Sequence, residues 1–198
     1  MADDGTPQRF GEVVETSTTQ FLAQCYELNV APPLGSLVRV GDAPQVYAIT
    51  ANVETTSLEP GRTAIALGQA ETSEEDVYRH NPQLPRLLNT RFQGLIVGYV
   101  QDGAVYQRLP PSPPRLHSFA YLCAPREVLG FTQRLDFLPI LLGARVPAGD
   151  QVAAACLRLA SAAHEDPGEF RLRAGKALVS LLSSDLPRLN VLLRGLAG

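Results

Sequence analysis

The chain is poor in the residues that staple or metallate small proteins. It has three cysteines, at positions 25, 123 and 156, and three histidines, at 80, 117 and 164. The cysteine number is odd and no pair has C-x-x-C spacing, which argues against a disulfide framework or a zinc site. Free, buried thiols in a reducing cytoplasm are the expectation. The histidines are far apart and none has an i, i+4 partner, so neither a metal centre nor a cofactor is expected.

An excess of positive charge is missing as well. Against 20 Asp and Glu stand 17 Lys and Arg, a formal net charge of −3. That weighs against broad, charge-driven binding to nucleic acid, which needs clustered cations to displace counterions. No apolar run reaches the ~20 residues of a membrane span. The longest candidate, residues 137–144, contains Pro139 and Gly143. The amino end, Met1-Ala2-Asp3-Asp4-Gly5-Thr6-Pro7, is polar and acidic, with no apolar core of a signal peptide. A cytoplasmic protein without membrane contact is expected.

Nucleotide-binding loops are also lacking. A P-loop needs a glycine, four residues on another glycine, then Lys and Ser or Thr, so that backbone N–H groups cradle phosphate. Here Gly175-Lys176 is followed by Ala177, and position 170 is Phe. A G-x-G-x-x-G loop is absent too. Neither ATPase chemistry nor any catalytic residue is expected.

What is present has two periods. The 198 residues, 45% of them hydrophobic, suffice for one large domain or two small ones. In the first half, Gly11-Glu12-Val13-Val14-Glu15-Thr16 and Phe21-Leu22-Ala23-Gln24-Cys25-Tyr26 flank a polar Thr/Ser turn. Residues 37–40, 45–55, 91–100 and 119–123 are rich in β-branched and aromatic side chains. Asp102-Gly103 lies between Tyr99-Val100 and Ala104-Val105-Tyr106, and Asp-Gly between apolar strands signals a hairpin. One helical insertion, near 73–89, starts with Ser73 as a cap and Glu74-Glu75-Asp76 in its first turn. Pro82 and Pro85 divide it into two short pieces.

From Pro125 the period becomes helical. Val128, Leu129, Phe131, Leu135, Phe137 and Leu138 are densely apolar. Val152, Cys156, Leu159 and Ala163 share one face, as do Phe170, Ala174, Leu178 and Leu181. Asp166-Pro167-Gly168-Glu169 reads as an N-cap followed by a first-turn proline and an acid. Leu186, Leu189, Leu193 and Leu196 stripe the last helix, a core face or a partner-binding one. These segments predict an α+β chain: a small six-stranded antiparallel β-barrel over 8–124, then an α-helical domain over 125–198.

Several clusters admit a chemical and a plainer reading. Glu71, Glu74, Glu75 and Asp76 form a metal cluster or, more simply, a solvated helix start. Cys25 or Cys123 with His117 would make a thiol site only if a thiol pKa were depressed. Glu59 and Arg62, beside Pro60-Gly61, form a contact motif or a loop ion pair. The run 109–115, with Pro110, Pro111, Pro113 and Pro114, is a stiff connection or a polyproline recognition segment. Arg86, Arg91, Arg108, Arg115 and Arg126 recur near Phe92, Tyr99, Tyr106 and Tyr121. Such a set on a barrel face is the alternative reading, a single-strand nucleic-acid surface.

Residues 10–40, with Gly11-Glu12-Val13-Val14-Glu15 and the corner Pro32-Pro33-Leu34-Gly35-Ser36, resemble the HAS-barrel, the HerA–ATP synthase barrel, in its stand-alone bacterial form. Further similar stretches are 52–62, 81–84 and His117-Ser118-Phe119-Ala120-Tyr121-Leu122-Cys123. The resemblance implies assembly. In HerA-type translocases such a barrel precedes the ATPase domain and helps dock a NurA-type nuclease; in rotary ATP synthase subunits it forms a ring. Here a helical tail stands where the ATPase domain would be, so the motor function is not carried over. The implied role is docking to a HerA-like ATPase or NurA-like nuclease, or self-association. The candidate contact residues are Glu59, Arg62, Leu186, Leu189, Leu193 and Leu196.

Overall fold

The structure is a computed structural model that describes residues 8–59, 61 and 63–197. Arg62 and Pro60 lie outside the described residues. The chain is α+β, with an antiparallel sheet followed by a helical layer.

The strands are β1 (Arg9–Thr16), β2 (Gln20–Cys25), β3 (Leu37–Val40), β4 (Gln45–Ser57), β5 (Leu88–Gln101), β6 (Ala104–Tyr106) and β7 (Phe119–Leu122). The helices are α1 (Glu74–His80), α2 (Leu84–Leu87), α3 (Pro125–Thr132), α4 (Leu138–Gly143), α5 (Gly149–Ser161), α6 (Pro167–Leu181) and α7 (Leu186–Ala197). The expected six strands are therefore seven among the described residues. The sheet order is β2-β1-β7-β3-β4-β5-β6, and β2 also pairs with β5. Strands β1, β2, β3, β4 and β7 each have two hydrogen-bonded neighbours and β5 has three, so the ladder returns to its own start. The extra strand, β6, is the short far arm of the hairpin and, among the described residues, pairs with β5 alone. Asp102 (φ 52°) and Gly103 (φ 76°) make its turn in the left-handed region, the twist that a two-residue hairpin requires.

Side-chain alternation sorts the strands into two cores. Val38, Val40, Val46, Ala48, Phe92 and Ile96 join Val13, Phe21 and Ala23 in one cluster. Their neighbours Leu37, Tyr47, Ile49, Leu95 and Val97 join the helices in the other. Strands β4 and β5 are thus covered on both faces, once by the ring and once by the helical layer, whereas on β3 the helical core takes Leu37. Each fully buried Leu, Ile or Phe contributes about 1.5–3 kcal/mol relative to an exposed one.

The helices follow their local signals. Ser73 Oγ accepts from the Asp76 amide (3.2 Å), as its N-cap role requires. Asp166 Oδ1 accepts from the amides of Gly168 (2.8 Å) and Glu169 (2.9 Å), with Pro167 opening α6. Ala124 has no side-chain acceptor at the start of α3. Glu127 Oε2 instead accepts from the Ala124 amide at 2.8 Å. α5 departs from its expected face: Val152 and Cys156 are buried, but Leu159 is exposed. The helix packs against the sheet, α6 and α7 together, so its buried arc widens to include Ala153, Leu157 and Ala160.

Candidate functional site

The residues with nucleophilic potential are divided between two cores. Cys25 lies in the core of the strand ring, while Cys123 and Cys156 lie in the core beneath the helices. Burial pushes the Cys25 thiol up to about 11 and that of Cys156 up to about 12. Burial and then the Glu127 carboxylate push Cys123 up as well. A thiolate nucleophile needs the opposite shift. His117 is exposed at φ 64°, with Nδ1 3.4 Å from Glu12 Oε2.

The acidic run behaves as a capped helix start. Asp76 accepts from Thr72 Oγ1 (2.7 Å) and pairs with Arg79. Glu71 Oε2 stands 2.9 Å from His80 Nδ1. Hydrogen bonds from Thr72 and Ser73 hold the Asp76 carboxyl below its usual range. Among the described residues no His, Cys, Asp and Glu gather in a group that could hold a metal ion.

The expected contact residues separate. Glu59 is exposed beside a surface cavity of about 270 Å³ that Ile65, Leu84 and Leu87 also line. Of the α7 stripe, Leu189 and Leu196 are core residues, Leu193 is half-buried at the core's margin, and Leu186 is 60% exposed. The buried face of α7 is Leu189, Leu192 and Leu196, at i, i+3, i+7. The stripe is therefore rotated from the expected one, because α7 lies between α5 and α6 and must cover both. In the proline run, Pro110 and Pro114 are buried while Pro111, Ser112 and Pro113 are exposed.

Two surface features were not legible as units in the sequence. The first is a groove of about 670 Å³ between α6 and α7. Leu172 and Val179 of α6 line it, 61% and 47% exposed, with Leu193 and Leu196 opposite and Arg171 and Lys176 among its walls. The core row of α6 is Phe170, Ala174 and Leu178, so this helix has a second apolar row. The i, i+7 spacing of Leu172 and Val179 was the available signal.

The second is an arginine–aromatic strip on the uncovered side of the sheet. The Arg9 guanidinium lies 4.7 Å from the Phe119 ring centre and 5.2 Å from that of Tyr26. The Arg39 guanidinium lies 4.6 Å from the Tyr121 ring, with Nε 3.1 Å from Glu127 Oε1. Arg9, Tyr121 and Arg39 are register partners across β1, β7 and β3. Of the aromatics expected to face nucleic acid, only Tyr121 is here. Phe92 is fully buried in the ring core. Arg108 lies over Tyr106 at 4.6 Å and donates to Tyr99 Oη at 3.2 Å. Arg91 pairs with Glu54 at 3.3 Å.

Compared with known proteins, the chain matches no family model and no curated sequence.

Proposed function

We propose that this chain is a non-enzymatic docking module, a closed β-barrel of the HAS type with a helical layer whose α6–α7 groove receives a protein partner. The pairing of β2 with both β1 and β5 supports the barrel, because closure removes the free edges that would otherwise template aggregation. The observation that carries the docking role is the second apolar row of α6. Leu172 and Val179 stand exposed over a groove floored by Leu193 and Leu196, while the helix's other row is in the core. Large apolar side chains gathered at a groove mark an interaction surface, whereas singly scattered ones do not. Arg171 and Lys176 on its walls favour a partner segment with acidic residues beside its apolar anchors.

The HAS resemblance points to a HerA-like ATPase or a NurA-like nuclease as that partner, and hence to DNA processing. A second copy of the chain is the other occupant the resemblance implies. The test is calorimetric titration with purified HerA-like and NurA-like proteins of the same cells, alongside sedimentation of the chain alone. Binding or self-association is expected, and Leu172→Asp with Val179→Asp should abolish it while leaving the thermal midpoint unchanged. If neither protein binds and the chain stays monomeric, or the double variant assembles like the parent, the reading fails.

A further inference from the structure

We propose that the strip of Tyr26, Arg9, Phe119, Tyr121 and Arg39 is a binding site for single-stranded nucleic acid, with bases stacking on its rings and guanidinium planes. The strip is separate from the α6–α7 groove and draws on different elements.

Its layout comes from the sheet order. Tyr26 directly follows β2, Arg9 is on β1, Phe119 and Tyr121 are on β7, and Arg39 is on β3. These four strands are consecutive in the sheet. At about 4.8 Å per strand, the side chains span roughly 15 Å of gently twisted surface. The opposite faces of the same strands point into the ring core, through Phe10, Val13, Ala120 and Val38. The strip therefore stands on a packed support; Arg9, Tyr26 and Phe119 are exposed, Tyr121 is half-buried, and the Arg39 side chain is 17% exposed at the end nearest α3.

The chemistry of the five side chains matches one class of ligand. Tyr26 is 51% exposed and Phe119 is 42% exposed, large apolar areas to leave in water on a sheet face. Arg9 lies within cation–π range of both, and Arg39 within range of Tyr121. Alternating rings and guanidinium planes are stacking partners for unpaired bases, since every base has a π face. A cation at the same place meets the phosphates. Of the acids at the margin, Glu127 pairs with Arg39 at 3.1 Å, while Glu12 stands 3.4 Å from the His117 imidazole and its charge also reaches Tyr26. Arg9 has no acid partner among its described contacts on the strip, which makes it the main phosphate contact. With only one or two phosphates met, stacking rather than charge dominates, and this is consistent with a net charge of −3. Base-paired duplex hides the π faces, so single strands are preferred.

The test is fluorescence anisotropy of the full chain with a labelled oligo-dT of about 15 nucleotides and with a duplex of the same length, at about 50 mM salt. Binding of the single strand in the micromolar range is expected, tighter than the duplex, with quenching of tyrosine emission. The slope of log affinity against log salt should be shallow, about −0.7 to −1.4, as one or two phosphate contacts predict. Phe119→Ala and Arg9→Ala should each weaken binding roughly tenfold. Leu159→Ala, exposed on α5 away from the strip, should bind like the parent. All three positions are exposed, and an unchanged circular-dichroism melt verifies folding. Absence of binding at about 100 µM protein overturns the proposal, as does binding that the two strip variants leave unchanged. Loss of a protein partner in those variants, with no oligonucleotide binding in the parent, would make the strip a protein interface and overturn it equally.

Discussion

Phe21 lies over Gly94 across the β2–β5 ladder, where the two residues are register partners. A β-carbon at position 94 would stand 2.8 Å from ring Cε2 and closer still to Cζ. This ladder is the seam at which the ring of strands returns to its start. Phe21 is buried there, edge-on to Phe92 with ring centres 5.9 Å apart. Gly94→Ala should therefore overpack the seam by about 1–3 kcal/mol. The thermal midpoint should fall by roughly 2–12 °C for a chain of this size. Phe21→Leu in the same background should recover part of the loss. A midpoint that stays level or rises in Gly94→Ala would show that the seam is looser than described.

Two leucines of α7 should respond oppositely to the same truncation. Leu192 is fully buried, whereas Leu186 is exposed. Leu192→Ala is expected to cost about 2–5 kcal/mol, the transfer term plus the cavity it leaves. Leu186→Ala should change stability by no more than about 0.5 kcal/mol. Urea unfolding of both variants checks this. Leu189→Asp belongs with Leu192, since it would bury a charge without a partner. It should unfold the helical layer and is no test of partner binding.

Stability should decline in mild acid through His164. Its ring stacks on Phe170 with centres 4.2 Å apart, and Nε2 is 2.9 Å from Thr132 Oγ1. That hydroxyl donates its proton to the Val128 carbonyl at 2.7 Å, so it accepts from the histidine N–H. Burial, and then the Arg173 charge, lower the His164 pKa from 6.5. The unfolded chain thus binds a proton at higher pH than the folded one. The contribution is complete above the unfolded pKa and is lost as pH falls through the window below it. Thermal melts at about pH 7.5 and 5.5 should show a drop that is smaller in His164→Gln. An equal drop in the variant would remove His164 as the cause.

The three thiols should be unreactive in the folded protein. All are buried, and burial raises each pKa. Iodoacetamide at neutral pH should leave the native chain unmodified by mass, and label three sites in denaturant. Rapid labelling of Cys25 or Cys123 in the native state would revive a thiol site near His117.

Local signals were readable because they act over a few residues. The Asp102-Gly103 turn, the Ser73 and Asp166 caps and the alternation of Phe21, Ala23 and Cys25 all stand where the sequence puts them. The double covering of β4 was also written there. Val46 to Ala51 is almost unbroken by polar residues, which is the mark of a strand buried on both faces. The helix faces were less readable. Leu159, Leu181 and Leu186 fit their helical stripes by spacing yet are exposed, because the width of a buried arc depends on how many neighbours a helix has.

By itself, the sequence determined the element types, their caps and turns, and the alternation that sends each strand residue to one face or the other. Only the tertiary structure decided that β2 meets β5, which faces the helices cover, and that Arg9, Tyr26, Arg39, Phe119 and Tyr121 share one surface. The reason is physical. Propensities, caps and turns are set by neighbours within about four residues. Strand pairing and helix docking are set by contacts between distant segments, whose register follows from packing both cores at once.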